Sequence, residues 1–318
     1  MKDTNYCGSS ETIREALNFN FIDYYNKQPK HIKNIDELFL QWFIGFSEAD
    51  GSFIILKNFK IPRLCFSITQ KNSKVLFKIK KNLGFGKIKK FYQNGEYYYK
   101  FSVYKLENIE RLIYIFNGNI VLTKVYTRFY NWVIQYNILC NHSLIIKTIN
   151  FKKIKVCFNL NSAWFAGFIE GDGGFYASLT KNSKYKLNYR LRMKFYITQK
   201  YELELLENVI QLIHKKYLES KYYKSNLNNS KYLEIEDVKP SKYITHLKSF
   251  TYRLEISTEK YILIILQYLN KYPLQGEKNI VFLRWKRIFL NKNTLKNAAL
   301  KSNKSFIRFK KLVKSIKN

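Results

Sequence analysis

Two aspartates stand 122 residues apart in nearly the same local sequence. Asp50 lies in Trp42-Phe43-Ile44-Gly45-Phe46-Ser47-Glu48-Ala49-Asp50-Gly51-Ser52-Phe53. Asp172 lies in Trp164-Phe165-Ala166-Gly167-Phe168-Ile169-Glu170-Gly171-Asp172-Gly173-Gly174-Phe175. Leu40, Phe43 and Phe46 give the first copy an apolar helical stripe. Gly45 and Ala49 are four apart, as are Gly167 and Gly171, so each pair shares one helix face. Small residues there let two helix backbones approach closely. Gly51 and Gly173 are expected to stop the helices, which leaves each aspartate in a last turn. The helix dipole opposes an anion there by about 0.3–1 kcal/mol. Two helices packed through their small faces would bring both carboxylates together at further cost, and a divalent cation relieves that clash. A single Asp-Gly pair is an ordinary turn signal. Two copies behind the same helix are not explained that way.

The elements around these residues also repeat. Phe66-Ser67-Ile68-Thr69-Gln70-Lys71 returns as Phe195-Tyr196-Ile197-Thr198-Gln199-Lys200. The chain therefore reads as an N-terminal extension (1–37), a first repeat (38–150), a second repeat (160–290) and a basic C-terminal tail (291–318). Extra length in the second repeat is expected as a polar surface insertion around Glu219–Lys248. After each aspartate the period switches to two. Tyr189, Leu191, Met193, Phe195 and Ile197 alternate with Arg190, Arg192, Lys194, Tyr196 and Thr198, which predicts a strand with one core face and one basic face. Phe250–Ser257 alternates likewise and puts Arg253 on one side with Thr251, Glu255 and Ser257. Arg63–Thr69 and Tyr97–Tyr104 are weaker versions. Each half thus reads as helix, strands, helix, strands, helices, an α+β unit.

The composition narrows the function. The 318 residues carry 56 Lys+Arg against 23 Asp+Glu, a net charge of +33. That points to a polyanionic partner rather than to ordinary small-molecule metabolism. Hydrophobic residues at 46% and aromatics at 17% exclude a disordered chain. No apolar run reaches the roughly 18 residues of a membrane span. The four cysteines and four histidines show no zinc-site spacing, and a disulfide framework is not expected. The N-terminus has no apolar signal segment. Lys, Asn, Ile, Phe and Tyr, all with A/T-rich codons, dominate. An AT-rich organelle genome fits this bias, mitochondrial or alternatively plastid.

The paired segments resemble the LAGLIDADG motif of homing endonucleases, with Phe43–Gly51 as one copy and Phe165–Gly173 as the other. The resemblance extends over roughly residues 38–290. It is nearest the single-chain, two-motif branch, which includes mitochondrial intron-encoded endonucleases and maturases. It implies a monomer of two pseudo-symmetric αββαββα halves packed through the motif helices, with a saddle of strands in the DNA major groove. It further implies that Asp50 and Asp172 bind Mg2+ or Mn2+, joined by the carbonyls of Ala49 and Gly171. Gln70 and Gln199 match a glutamine found near the scissile phosphates in some members. A basic residue after the last strand usually completes each site. Lys278 in Pro273-Leu274-Gln275-Gly276-Glu277-Lys278 fits that pattern, and Lys124 in Leu122-Thr123-Lys124 fits it without the usual proline. Arg63, Lys100, Arg190, Arg192, Lys194 and Arg253 are the candidate DNA contacts. Glu48 and Glu170 are expected to be structural. The implied activity is metal-dependent, site-specific hydrolysis of both strands of a long, non-palindromic DNA target during intron homing. The rival reading is an RNA maturase that assists splicing of its host intron, alone or in addition. The tail Asn291–Asn318 holds nine Lys/Arg and no acid, a charge run that is solvated or lies along a phosphate backbone.

Overall fold

The structure, a computed structural model, describes residues 18–141, 147–154, 156–184, 189–225, 238–292 and 303–316. Cys7, His142 and residues 226–237 of the polar stretch lie outside the described residues. The chain divides into two compact units, Met1–Gly171 and Asp172–Asn318. No helix among the described residues is long and apolar enough to cross a membrane.

In the first unit, α1 (Ile22–Tyr25) is followed by α2 (Glu37–Asp50), which carries the first motif. The Asp36 carboxylate caps α2 by accepting from Leu38 N at 3.0 Å, as residues of this type do at helix starts. Then come β1 (Gly51–Leu56), β2 (Arg63–Gln70), α3 (Lys74–Leu83), β3 (Lys87–Gln93), β4 (Glu96–Val103), α4 (Leu106–Phe116) and α5 (Thr123–Cys140). The four strands form an antiparallel sheet in the order β1-β2-β4-β3. Asn94 and Gly95, both at positive φ, make the β3–β4 turn, as an Asn-Gly hairpin requires. Phe53 lies within ring contact of Phe66, Phe116, Phe129 and Trp132, so α4 and α5 cover one face of the sheet. Burying such a ring contributes about 1.5–3 kcal/mol. The Trp132 indole also donates to the Ile54 carbonyl at 3.2 Å.

The second unit repeats the plan. Helix α6 (Trp164–Asp172) carries the second motif and straddles the division between the units. It leads into β5 (Gly173–Lys181), β6 (Tyr189–Lys200), α7 (Leu203–Ser225), β7 (Ile244–His246), β8 (Thr251–Ile256), α8 (Glu259–Lys271), α9 (Lys278–Leu290) and α10 (Asn303–Lys314). The sheet order is β5-β6-β8-β7. Phe175 packs on Phe195, Phe282 and Trp285. The Trp285 indole donates to the Tyr176 carbonyl at 3.0 Å, which is the Trp132–Ile54 contact in the second copy. The αββαββα halves expected from the sequence are thus present, each with one added helix.

Two expectations gain detail here and one needs correction. The polar stretch Glu219–Lys248 carries regular structure at both of its described ends. Helix α7 runs to Ser225, and a 3-10 turn (Pro240–Lys242) and β7 occupy its far end. Helix α2 ends at Asp50 with Gly51 as its C-cap, as expected. The Gly51 φ of −82° and ψ of 153° are extended, and the chain passes straight into β1. Glycine is needed for space, because a Cβ there would lie 2.4 Å from the Ser47 carbonyl oxygen. The basic tail is not simply a solvated charge run: in α10, Phe309 and Val313 are buried, as is Ile316 just beyond it, and the helix lies against α9 and β5.

Candidate active site and nucleic-acid interface

Helices α2 and α6 meet through their glycines. A Cβ on Gly45 would fall 1.9 Å from the Trp164 carbonyl oxygen, and one on Gly167 would fall 1.9 Å from the Trp42 carbonyl oxygen. Small residues four apart have brought two backbones into contact, as the motif spacing predicts. The register is held by polar contacts on both sides of the seam. Gln41 Oε1 accepts from Ala163 N at 2.9 Å, and Glu48 Oε1 accepts from the Trp164 indole at 2.8 Å.

This contact places Asp50, the last residue of α2, beside Gly171. A methyl group on Gly171 would lie 2.4 Å from Ala49 Cβ and 3.2 Å from the Asp50 carboxyl carbon. Gln70, at the end of β2, donates its side-chain amide to Asp50 Oδ2 at 2.7 Å. In the second unit Gln199, at the matching point of β6 and 2% exposed, donates to Asp172 Oδ2 at 2.5 Å. Each motif aspartate therefore has one carboxylate oxygen fixed by a glutamine amide, and the same pair forms twice. The glutamines orient the acids.

Glu48 is 1% exposed and accepts from Val121 N, Leu122 N and the Trp164 indole. Its role is structural, as expected, and it has a consequence for the site. By tying down residues 121–122 it fixes the start of α5, where Lys124 is the second residue. Lys278 is the first residue of α9. Neither lysine follows the last strand directly. Helix α4 intervenes in one half and α8 in the other. A cation at a helix N-terminus opposes the dipole by about 0.3–1 kcal/mol.

The registers settle which residues share each sheet face. In the first sheet Phe53, Phe66, Ile68 and Phe101 point to the helices. By alternation Arg63, Thr69, Lys100, Lys87, Lys89 and Tyr98 share the other face. Lys87 and Lys89 were not singled out from the sequence, although the alternating Lys87-Ile88-Lys89 before the Asn-Gly turn carried the signal. β2 looked weak from sequence because Cys65 and Ser67 on its second face are buried too. Burial pushes the Cys65 thiol above its usual range, against the opposing effects of the Tyr104 hydroxyl and the Lys100 charge. In the second sheet Arg190, Arg192, Lys194, Tyr196 and Arg253 share the face opposite Phe175 and Phe195. Arg190 and Arg192 are exposed. Lys194 and Arg253 are not simply presented outward, because both are engaged by Glu255.

Among the described residues no three His, Cys, Asp or Glu side chains cluster as a metal cage. Each motif helix offers a hard carboxylate oxygen oriented by an amide, a donor type that suits a hard divalent cation.

The sequence profile described as LAGLIDADG endonuclease matches residues 43–136 and 165–244. "Probable intron-encoded endonuclease 4" of Neurospora crassa is 31% identical over 256 residues, 79% of this chain. The chain spans only 40% of that relative's length. "Intron-encoded RNA maturase bI4" of Saccharomyces cerevisiae is 28% identical over 238 residues, 70% of this chain and 34% of the relative. Among solved structures, the LAGLIDADG meganuclease I-AabMI bound to uncleaved DNA aligns over 87% of this chain and 99% of its own, with TM-score 0.61 and 17% identity. The I-LtrWI homing endonuclease bound to target DNA aligns over 89% and 98%, with TM-score 0.59 and 17% identity. These structures share the fold of two four-stranded sheets with helices. With both motif copies, Phe43–Gly51 and Phe165–Gly173, inside the matched segments and each motif helix ending on an amide-held aspartate, this chain belongs to the LAGLIDADG endonuclease family.

Proposed function

We propose that the chain is a site-specific DNA endonuclease that cuts both strands of a long, non-palindromic target and so mobilises the intron that encodes it. The observation that carries this reading is the twice-built pair of a motif-helix aspartate and a strand-end glutamine. Asp50 and Asp172 hold Mg2+ or Mn2+, with the Ala49 and Gly171 carbonyls as further oxygen donors. When bound, the metal supplies charge neutralisation at the phosphate and activation of the attacking water. Gln70 and Gln199 keep each carboxylate oxygen aimed, and Lys124 and Lys278 neutralise charge that develops on the phosphate. Arg63, Lys100, Arg190 and Arg192, with Lys87 and Lys89, supply contacts to the duplex. The two faces differ in sequence, so the target need not be symmetric. The working form is a monomer of two repeats, 38–150 and 160–290. The codon bias supports an organelle gene, mitochondrial or alternatively plastid.

The test incubates purified protein and Mg2+ with joined-exon DNA. We expect a double-strand cut that Asp50→Asn or Asp172→Asn abolishes, with binding kept within about tenfold because phosphate and base contacts dominate affinity. Full cleavage by the double variant would end the assignment.

A second reading, assistance to splicing of the host intron RNA, draws support from one feature. Between α9 and α10 lies a cavity of about 610 Å³ lined by Arg284, Arg287, Arg308 and Lys311 with no acid. It is a cationic groove whose lining includes neither motif aspartate, of a kind suited to a phosphate backbone. Splicing rescue by the Asp50/Asp172 double variant, with no DNA cut by the wild type, would put this reading first.

A further inference from the structure

Glu255 is the one acid in the described strands of the second sheet, β5 to β8. It stands on the same face as Arg190, Arg192, Lys194 and Arg253. On a face offered to a polyanion, a carboxylate is repelled by what the face binds. Its fold contribution is small: its side chain is 32% exposed, and ion pairs at such exposure contribute little. The geometry of its neighbours accounts for it better. Lys194 Nζ donates to Glu255 Oε2, and Arg253 Nε lies 3.7 Å from Oε1. The Arg253 guanidinium sits 4.3 Å from the centre of the Tyr196 ring. Tyr196 in turn has its place because Gly174, its cross-strand neighbour, lacks a side chain. A Cβ on Gly174 would fall 2.2 Å from the Tyr196 ring. Gly174, Tyr196 and Glu255 form one cross-strand row.

The first sheet has nothing comparable. The matching row there is Ser52, Ser67 and Ser102, and the position of Arg253 is held by Lys100. The second glycine of Asp172-Gly173-Gly174, where the first copy has Ser52, therefore belongs to this cluster and not to the motif helix.

We propose that Glu255 is a positioning residue for base readout: with Tyr196 it holds Arg253 so that the edge of its two terminal NH2 groups faces the DNA and reads one guanine in the half-site under the second sheet. This rests on the DNA-binding reading above. An arginine whose Nε is paired by charge with Glu255 at 3.7 Å, without a hydrogen bond, and whose guanidinium carbon sits over Tyr196 has its two terminal nitrogens left to present as a fork. That fork matches guanine O6 and N7. Holding it in advance saves ordering on binding, and the saving goes to the correct base. Lys100 has no planar fork, so the first half-site lacks the equivalent reader.

The test selects binding sites from a randomised duplex library with wild-type protein and with Glu255→Ser, Glu255→Gln and Arg253→Lys. We expect one position of the site, in one half only, to prefer guanine in the wild type. That preference should fall about tenfold or more in all three variants while other positions stay as they are. Affinity of Glu255→Ser and Glu255→Gln for a scrambled duplex should rise, because each removes a negative charge from the face. A residue that only supported the fold would instead weaken all binding together. Unchanged preferences in the Glu255 variants, or a fall in their scrambled-duplex affinity, would overturn the proposal alone. A wild type that selects no sequence at all would overturn it together with the DNA-binding reading. Arg253→Lys guards against misfolding, since it keeps the charge and the length of the side chain.

Discussion

Replacing Gly45 with alanine should damage the protein more than any other single methyl group added to the motif helix. The new Cβ would lie 1.9 Å from the Trp164 carbonyl oxygen, 2.8 Å from its carbonyl carbon and 3.0 Å from Phe168 N. A relaxed carbon–oxygen contact needs about 3.3 Å, so α2 and α6 must part by roughly 1.4 Å. All three atoms are backbone and cannot rotate away. Overpacking of this kind costs about 1–3 kcal/mol. Against this, alanine favours the helix over glycine by about 1 kcal/mol. The net expectation is a loss of about 2 kcal/mol, the upper end of that balance because the clash is with backbone. With a urea dependence of about 1–3 kcal/mol per molar, the unfolding midpoint should fall by about 0.7 M or more. Gly167→Ala meets the Trp42 carbonyl in the same way, so both substitutions force one separation. The double variant should then cost less than the two singles added, by at least about 0.5 kcal/mol. Cleavage should fall about a hundredfold where protein remains folded, since an ångström of misplacement at Asp50 has that effect. An unchanged midpoint for Gly45→Ala, or strict additivity in the cycle, would refute the close-contact reasoning.

Other perturbations follow from the same geometry. Gln70→Ala or Gln199→Ala should lower cleavage about 10–100-fold and raise the Mg2+ concentration needed, because each frees the carboxylate it orients; a metal titration of the cleavage rate checks this. Glu48→Ala leaves Val121 N, Leu122 N and the Trp164 indole without their acceptor, and should cost about 3 kcal/mol or more in chemical denaturation. Deleting 303–318 uncovers the apolar surface under Phe309, Val313 and Ile316, so the truncated protein should melt at a lower temperature. Arg287→Glu with Arg308→Glu keeps that packing and should weaken RNA binding and its salt dependence while DNA cleavage at saturating protein holds.

What could be read from the residues in order was whatever is encoded in local spacing. The 122-residue repeat announced two like halves, and the small residues four apart announced the helix seam, because a helix face is a fixed interval along the chain. Period-two alternation marked β6 and β8, and the two aspartates were legible from repetition alone. Other features depended on which strand lies beside which, and the order β1-β2-β4-β3 is not that of the chain. Gln70 reaches Asp50 across 20 residues and Gln199 reaches Asp172 across 27, so their use as orienting amides waited for the fold. Glu48 looked like one more motif residue until its carboxylate was found on backbone groups 73 and 74 positions away. Lys87 and Lys89 joined the basic face only through pairing with β4, and the tail proved to be docked because its apolar residues meet a surface built by α9 and β5. Spacing along a chain determines which face of an element a side chain occupies; only packing decides what that face meets.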